Sequence, residues 1–407
     1  MRELLGQRGI AGLLTAQVVS ALGTQMTFLA LPWFVLETTG SPTRMGIVLA
    51  AELLPVALLG IPSGTVVARL GARNTMLLGD LCRAPILLSI PVLHSAGLLS
   101  FPLLLVLVAL LGVFIAPYFA SQRLVLPELL GDDERTVSQA NAVLEGSQRT
   151  TALLGPALAG LLIASIGAPN VLYLDAATFL FSFVVLLLFV PRRAPVAQTE
   201  DSHGVLAGIR FLLRDRVLRV LGVTALVANG MGTMLIAALP VLAYEEFDGS
   251  SRVAGAFFAA FGIGAVAGSI VAVKLVSRYE PLRLGATSFV LLTIPVFALG
   301  LDLPVPGVMA ALALSSFFGP LVNAPLITVI TTRTPEALRA KVTTAVITTA
   351  MLAGPVGYLV AGPLIESWGP RPVFLLVAAG QLLATLPFLA VAFRSGEPGA
   401  AAAQQVS

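Results

Sequence analysis

Residues 138–167 read SQANAVLEGSQRTTALLGPALAGLLIASIG, and this stretch indicates how the whole chain folds. It is mostly apolar and longer than the about 20 residues that cross a bilayer as a helix. Yet Glu145 and Arg149 lie inside it, four residues apart, so that they share one helix face and can form an ion pair. Charge in hydrocarbon is costly and usually faces a partner or a water-filled cavity. The stretch therefore predicts a membrane helix of a protein that moves a solute, rather than an inert anchor.

The composition is typical of a polytopic helical membrane protein. Of the 407 residues, 57% are hydrophobic and only 11% are charged, and a mean hydropathy of +0.95 excludes a soluble domain of this length. The pI of about 9.3 would suit a nucleic-acid-binding protein, but the basic residues lie in short loops between apolar spans, where the positive-inside rule explains them. The single cysteine, Cys82, excludes an intramolecular disulfide, and the two distant histidines argue against a metal site.

Hydropathy predicts an all-α polytopic membrane protein with twelve transmembrane helices. The predicted spans are 10–36, 43–68, 74–96, 101–122, 138–165, 171–190, 219–244, 252–276, 284–301, 307–331, 342–365 and 372–393. The predicted domains are an N-terminal six-helix bundle at 1–190, a cytoplasmic linker with an amphipathic helix at 191–218, a C-terminal six-helix bundle at 219–394 and a cytoplasmic tail at 395–407.

The distribution of basic residues predicts the orientation. If the N-terminus is inside, only Arg44, Arg252 and Arg371 of the 24 lysines and arginines fall in outer loops. Apart from the intramembrane Arg83 and Arg149, all the others fall on the inner side. We therefore expect a multi-pass protein of the cell membrane with both termini in the cytoplasm.

The two halves of the chain repeat each other. Gly40-Ser41 recurs as Gly249-Ser250, and Gly167 recurs as Gly369, at a shift close to half the chain length. A duplicated six-helix unit predicts two pseudo-symmetric halves. Such halves usually rock about a site near the midplane of the membrane.

The spans, the repeat, the linker and two motifs resemble the major facilitator superfamily over essentially the whole chain. The loop Gly64–Arg73 is similar to the superfamily signature G-x-x-x-D-R-x-G-R-R, but Ala68 replaces its Asp. The resemblance implies a charge relay that gates the cytoplasmic side, and Ala68 lacks the carboxylate that the family uses in this relay. Gly155-Pro156 and Gly160 resemble a shortened antiporter signature of proton-coupled exporters.

A narrower resemblance is to the branch that contains macrolide efflux proteins and the enterobactin exporter. The residues that carry it are Thr39-Gly40-Ser41-Pro42, Asp80-Leu-Cys-Arg83, Arg123-x-x-x-Pro127-Glu128-Leu with Ala140-Asn141-Ala142, and Tyr173-Leu-Asp175-Ala with Phe179. This resemblance implies a drug:proton antiporter and does not specify a substrate.

Three residues are candidates for proton coupling: Glu145, Arg149 and Glu52. Burial disfavours the charged form of a carboxyl group and a nearby guanidinium favours it, so a pair that moves can load and release a proton. The alternative for Glu145 and Arg149 is a static intrahelical ion pair. Glu52 lies deep in span two, and its alternative is to reach the outer interface or to pair with a polar neighbour.

Eight residues are candidates for the gate. They are Asp80, Arg83, Arg69, Arg73, Arg123, Gly155, Pro156 and Gly160. Asp80 and Arg83 lie three residues apart in span three and can pair. They resemble the family's pattern, which implies a structural role at the cytoplasmic gate. Asp175 is expected at the outer end of span six, in an interfacial position.

Span one carries a polar stripe, because Gln17, Ser20, Thr24 and Thr27 recur at helical spacing in an otherwise apolar segment. Such a stripe faces protein or water in a membrane. The resemblance implies a cavity among spans one, four, seven and ten. The candidate cavity residues are Gln17, Thr24, Gln25, Phe28, Phe114, Tyr118, Asn229, Met234, Phe318 and Asn323. Aromatic and methionine side chains suit varied apolar ligands, although ordinary helix packing is the alternative for each residue.

We therefore expect a secondary active transporter rather than an enzyme, because the sequence offers neither a nucleophile–base set nor a nucleotide-binding motif. The expected activity is export of amphipathic small molecules, such as antibiotics or secondary metabolites, by proton antiport with alternating access. The alternatives are a transporter of one metabolite such as a siderophore, and a membrane binding protein that does not transport. The expected partners are a small-molecule substrate, protons and the lipid bilayer, with no nucleic acid. We expect a monomer without a cofactor, driven by the proton gradient, with sodium as the alternative coupling ion.

Overall fold

A computed structural model describes residues 8–130, 134–192 and 210–394 of the chain. Within these ranges the chain forms twelve long helices and no strand. The helices are α1 (Arg8–Thr39), α2 (Pro42–Leu70), α3 (Ala72–Ser95), α4 (Phe101–Leu130), α5 (Glu134–Ile166), α6 (Ala168–Phe189), α7 (Arg216–Glu246), α8 (Ser251–Val276), α9 (Pro281–Ala298), α10 (Val305–Arg333), α11 (Glu336–Trp368) and α12 (Pro370–Arg394). Each contains a segment long and apolar enough to cross a membrane, so the predicted twelve-helix fold is confirmed.

Glycines with a positive φ angle form tight joints between consecutive helices. Gly40 joins α1 to α2 with φ 63°, and its repeat mate Gly249 precedes α8 with φ 62°. Gly167 joins α5 to α6 with φ 85°, and its repeat mate Gly369 joins α11 to α12 with φ 81°. A Cβ atom is strained at such angles, so glycine is strongly favoured there. The glycines that repeat in the sequence are therefore matching helix joints.

The joint at Gly369 allows a test of this backbone requirement. Gly369→Ala is expected to lower the free energy of unfolding by about 1–3 kcal/mol, because φ 81° with ψ 170° is a conformation nearly restricted to glycine. No atom of the described residues lies within 4 Å of the added Cβ atom, so backbone strain is the expected cause. Gly232→Ala in α7 has equal space and is the control, with stability expected to be unchanged or higher. Thermal unfolding in detergent measures both variants, and equal losses would contradict the expectation.

Helix α4 is longer than predicted. The sequence predicts its end at 122, but the helix continues to Leu130. In the added turns, Val125 and Leu126 are almost fully buried in a core that also contains Val67 and Met76. Packing of this apolar face therefore extends the helix beyond the length that the bilayer requires.

The predicted linker and its amphipathic helix lie largely outside the described residues. Where the description resumes, residues 210–214 are helical, with Arg210 and Arg214 exposed and Leu212 buried. Leu212 shares a core with Leu218 of α7 and Val342 of α11. The described end of this segment thus has a basic exposed face and an apolar face packed on the protein.

The helices form two compact units. The first contains the described residues up to 192 together with Leu239–Ala259, and the second contains residues 210–238 and 260–394. In the first unit, α1 packs on α5 and α6, α2 packs on α4, and α3 packs on α4 and α6. In the second unit, α9 packs on α10 and α12. The domain limits predicted from the sequence stay a prediction.

Candidate substrate cavity and buried charge cluster

The first unit contains a cavity among α1, α3, α4 and α5. Its volume is about 460 Å³, within the about 300–1,000 Å³ that is usual for small-molecule sites. It is lined by Ser20, Ala21, Thr24, Gln25, Arg83, Ile115, Tyr118, Phe119, Gln122, Glu145, Gln148, Arg149, Thr151 and Ala152. Hydroxyls, amides and three charged groups are combined with apolar patches at Ile115, Tyr118 and Phe119. Such a lining suits a molecule that has both polar and apolar parts.

Helix α1 supplies one wall of this cavity through part of its polar stripe. Ser20 and Thr24 line the cavity together with Gln25. The Thr24 hydroxyl donates to the Ser20 carbonyl at 3.0 Å, a helix-internal bond that satisfies it within the bilayer. The rest of the stripe faces protein: Thr27 is buried, and Gln17 is 2% exposed with no hydrogen-bond partner among the described groups.

Helix α5 supplies the charged wall. Arg149 Nη2 lies 2.8 Å from Glu145 Oε1, so the ion pair expected from their spacing is present. The two side chains are 58% and 67% exposed, and such a pair contributes at most about 1 kcal/mol to stability. Beside them, the Gln148 side-chain amide donates to Gln122 Oε1 at 3.2 Å and ties α5 to α4. The pair therefore belongs to the accessible wall of the cavity.

Three ionisable side chains are buried beside the cavity, and we call them the charge cluster: Asp80 and Arg83 of α3 and Asp175 of α6. They are 0%, 5% and 1% exposed, respectively. The Ser182 hydroxyl of α6 lies 2.6 Å from Asp80 Oδ2, and the Thr27 hydroxyl of α1 donates to Asp175 Oδ2 at 2.5 Å. Hydroxyl groups thus link the buried carboxyl groups across three helices.

Arg83 connects the charge cluster to the cavity, because it also lines the cavity wall. Its Nη2 donates to Thr24 Oγ1 at 3.1 Å, and its guanidinium carbon lies 3.9 Å from the ring centroid of Phe179 and 5.3 Å from that of Tyr118. Where the structure describes ion pairs, none includes Arg83, so the expected pairing with Asp80 does not occur. Contact with aromatic faces compensates part of the buried charge instead.

Asp175 is buried in the protein and does not lie at the end of its helix, so the expected helix-terminal position is wrong, while its place relative to the membrane interface stays a prediction. It lies two turns inside α6, which begins at Ala168, and it is 1% exposed. Its Oδ1 accepts a hydrogen bond from Thr178 at 2.9 Å, in addition to the bond from Thr27. Position along the chain could not reveal this, because burial depends on the face of α6 that packs against α1.

Glu52 of α2 is the fourth ionisable group in this region. It interacts electrostatically with Arg83 and Asp175. A Cβ atom on Gly112 of α4 would overlap the Glu52 carbonyl oxygen, so α2 and α4 touch at their backbones here. The residue is partly buried, and its role in proton coupling stays a prediction.

The arginines proposed for the gate differ in their surroundings. Arg73 binds the end of α6, with Nε 2.5 Å from the Val190 carbonyl oxygen and Nη2 3.0 Å from that of Leu187. An arginine in this position satisfies helix carbonyls that lack intrahelical partners. Arg69 is exposed, and the side chain of Arg123 lies outside the described part of the chain. The role of these residues in gating stays a prediction.

The glycines of α5 bring this helix close to its neighbours in the first unit. A Cβ atom on Gly155 would overlap Gln25 of α1, a cavity residue. A Cβ atom on Gly160 would lie 2.8 Å from Gly255 Cα, and the carbonyl oxygen of Pro156 also faces Gly255. These small residues allow the backbone proximity that membrane helices use for packing.

Only part of the predicted cavity set lines this cavity. Thr24, Gln25 and Tyr118 do, whereas Gln17, Phe28 and Phe114 do not. Asn229, Met234, Phe318 and Asn323 belong to the second unit, where Met234 is buried and the two asparagines are exposed; their role stays a prediction. Sequence reasoning missed Gln122 and Gln148, although each is an amide in a mostly apolar helix, the signal that selected Gln17.

The family follows from comparison with known proteins. Residues 5–405 match the family described as transmembrane secretion effector, which is almost the whole chain. The chain belongs to this family of major facilitator transporters. It is therefore a transporter and not an enzyme, and its twelve candidate spans make it a multi-pass membrane protein.

Individual relatives agree with this assignment. Multidrug efflux pump Tap from Mycolicibacterium fortuitum is 28% identical over 383 residues, which cover 91% of this chain and 92% of Tap. The staphyloferrin A transporter of Staphylococcus aureus is 23% identical over 260 residues, or 62% of this chain and 64% of that protein. Among solved structures, the nucleoside transporter NupG matches with a TM-score of 0.75 at 13% identity, covering 95% of this chain and 99% of NupG. At that identity the likeness concerns the fold alone.

Proposed function

We propose that this transporter exports amphipathic small molecules, such as antibiotics or secondary metabolites, in exchange for protons by alternating access. The observation that carries the proposal is the cavity of about 460 Å³ with a mixed polar and apolar lining beside a buried charge cluster. The similarity to Tap over nine-tenths of both chains supports drug export as the activity.

The lining explains how one site can accept several compounds. Tyr118 and Phe119 offer aromatic faces to apolar parts of a ligand, and the amides of Gln25, Gln122 and Gln148 can donate or accept hydrogen bonds. None of these groups demands a single ligand geometry. A pocket that combines adaptable polar groups with aromatic surface fits a broad substrate class better than one metabolite.

Energy for export would come from the proton gradient, because buried carboxyl groups can exchange protons without any cofactor. The excess of basic residues on one side of the spans supports cytoplasmic termini and location in the cell membrane. A single chain contains the cavity and the charge cluster, which supports a monomer as the transporting unit. The direction of transport is then from the cytoplasm to the outside.

A siderophore transporter is the second candidate. Two arginines, Arg83 and Arg149, line the cavity, and guanidinium groups suit ligands rich in carboxylate. The staphyloferrin A transporter is a relative of this chain over 260 residues. A binding protein without transport is the third reading, and flux measurements separate it from the first two.

The test uses the purified protein in proteoliposomes that contain a pH dye. A pH gradient is imposed, and macrolides, lipophilic cations and siderophores are added in turn. Several amphipathic compounds are expected to move protons in proteoliposomes and not in protein-free liposomes. A response to siderophores alone favours the second candidate. If no compound moves protons and no labelled compound is taken up, the proposed function is wrong.

The cavity itself can be tested by filling it. Ala152→Trp places a large side chain in the lining and is expected to weaken compound binding about tenfold or more, equivalent to about 1.4 kcal/mol. Leu154→Trp is the control, because Leu154 lies on the same helix, is 48% exposed and does not line the cavity. Equilibrium binding of the compound with the largest proton signal measures the effect. Equal affinity of the two variants would contradict the location of the site.

A further inference from the structure

We propose that Asp80 carries the exchangeable proton of this transporter. Asp175 stays ionised and compensates the positive charge of Arg83, and Arg83 links both aspartates to the cavity. Proton binding by Asp80 is a property of the folded chain. Its use in transport rests on the proposed function.

The surroundings of Asp80 favour a carboxyl group that can hold a proton. The residue is 0% exposed, its Oδ2 lies 2.6 Å from the Ser182 hydroxyl, and its Oδ1 has no hydrogen-bond partner among the described groups. A buried carboxylate with an unpartnered oxygen is costly. With a proton on Oδ2, the O–H group donates to Ser182, and Oδ1 becomes a neutral carbonyl oxygen.

The surroundings of Asp175 favour the ionised form of its carboxyl group instead. Both of its oxygens have hydroxyl partners: Oδ2 accepts from Thr27 at 2.5 Å, and Oδ1 lies 2.9 Å from the Thr178 hydroxyl, which shares its proton with the Asp175 carbonyl oxygen at 2.8 Å. Hydrogen bonds to both oxygens stabilise the ionised form of a carboxyl group. The geometry therefore assigns different roles to the two buried aspartates of the charge cluster.

The charges around Asp80 agree with the different roles of the two buried aspartates. Among the described groups that face Asp80, α3 contributes Arg83, α4 contributes Tyr118, and α6 contributes Asp175. Glu52 of α2 interacts with Arg83 and Asp175 and is partly buried. From α1 come the uncharged hydroxyl groups of the polar stripe. One positive charge, Arg83, thus faces three carboxyl groups, so the region has an excess of negative charge if all three are ionised. A proton on Asp80 reduces that excess.

Arg83 and Thr24 connect this balance to substrate binding. Both line the cavity, and Arg83 Nη2 donates to Thr24 Oγ1 at 3.1 Å. A cationic group in the cavity and a proton on Asp80 both add positive charge to one buried region, so each weakens the binding of the other. Release of the proton to water breaks the O–H bond at Oδ2 and leaves a carboxylate that attracts the cation. Because each ligand weakens the binding of the other, release of the proton is coupled to binding of the cationic compound, and the transporter exchanges one for the other.

Glu145 lacks these properties. It lies 2.8 Å from Arg149 and its side chain is 67% exposed, so its charge is compensated and hydrated in the cavity. We therefore assign it a role in contacting the substrate rather than in carrying the proton. Glu145→Gln is the matched comparison for Asp80→Asn, since both replace a carboxyl group by its amide.

Proton binding is tested first, without any substrate. Infrared spectra of the full chain in lipid bilayers are recorded as a function of pH. The wild type is expected to show the C=O band of a protonated carboxyl group that exchanges slowly with deuterium and disappears as the pH rises. Asp80→Asn is expected to lose this band, and Glu145→Gln is expected to keep it. If the band persists in Asp80→Asn, or if the wild type has no such band, the proposal is overturned.

Coupling is tested in proteoliposomes with the compound that gives the largest wild-type proton signal. Asp80→Asn is expected to keep exchange of labelled compound across the membrane and to lose compound-dependent proton movement about tenfold or more. Proton movement retained in Asp80→Asn overturns the proposal while the proposed function stands. If no compound moves protons in the wild type, the proposed function fails and the infrared result still decides proton binding by Asp80. Should Asp80→Asn not fold, Ser182→Ala is used, and an unchanged pH midpoint of the band contradicts the assignment.

Discussion

Gly268→Leu is expected to destabilise the protein by about 3 kcal/mol or more and to lower the yield of folded protein. Gly264 and Gly268 lie one turn apart on α8 and face the backbone of α10. A Cβ atom on Gly268 would overlap the Phe317 carbonyl oxygen and lie 2.7 Å from the Phe317 carbonyl carbon. These obstructing atoms are backbone atoms, so no change of side-chain rotamer relieves the overlap. The whole of α10 must shift, and the close packing of the second unit is lost.

The size of this effect follows from overpacking of a tight helix contact, which reaches about 3 kcal/mol or more. That loss corresponds to about a hundredfold change in the ratio of folded to unfolded protein. Size-exclusion chromatography of detergent extracts measures the folded fraction. Gly319→Leu on α10 is the control, because its Cβ position has no neighbour within 4 Å in the part of the chain that the structure describes. Similar folded yields for the two variants would show that α8 and α10 do not pack as described.

Arg83→Leu is expected to abolish transport and to destabilise the protein by about 3 kcal/mol or more. Arg83 is 5% exposed and is the positive member of the charge cluster. Its removal leaves the buried carboxyl groups of Asp80 and Asp175 without a positive charge nearby, and an uncompensated buried charge costs about 3 kcal/mol or more. It also removes the contact from α3 to Thr24 in the cavity wall. Thermal unfolding and proton flux measure the two losses separately.

A second substitution shows whether removal of the Arg83 charge causes the loss of stability. Arg83→Leu combined with Asp175→Asn removes both charges and is expected to recover much of the lost stability, since the interaction between neighbouring sites is not additive. Transport is not expected to return, because the link between the cavity and Asp80 is absent. If the double variant is as unstable as Arg83→Leu alone, packing of the guanidinium on Phe179 rather than its charge explains the loss.

The sequence was sufficient for the fold because membrane helices are constrained by length and hydropathy alone. The joints were predictable as well: Gly167 and Gly369 stand out as repeat mates, and both adopt the positive φ that favours glycine. The end of α4 was not predictable from hydropathy, because its last turns are held by packing of Val125 and Leu126. Bilayer thickness predicts only the part of a helix that contacts lipid, whereas the helix itself continues for as long as tertiary packing supports it.

The candidate site was only partly predictable. The spacing of Glu145 and Arg149 is local information, and their ion pair is present. The spacing of Asp80 and Arg83 equally suggested a pair, yet their hydrogen-bond partners are Ser182 and Thr24, which lie 102 and 59 residues away in the sequence. Contacts of that range depend on how helices are arranged around one another. They cannot be read from the periodicity of a single helix.

Labelled-compound transport under opposite pH gradients tests the central claim, proton-coupled export, most directly. Proteoliposomes carry the purified wild-type protein and an amphipathic compound that moves protons. One sample has an acidic lumen and the other an alkaline lumen. The account predicts accumulation in the acidic lumen and depletion from the alkaline one, because protons leaving down their gradient drive the compound in. Equal distribution of the compound under both gradients would contradict proton exchange as the driving reaction.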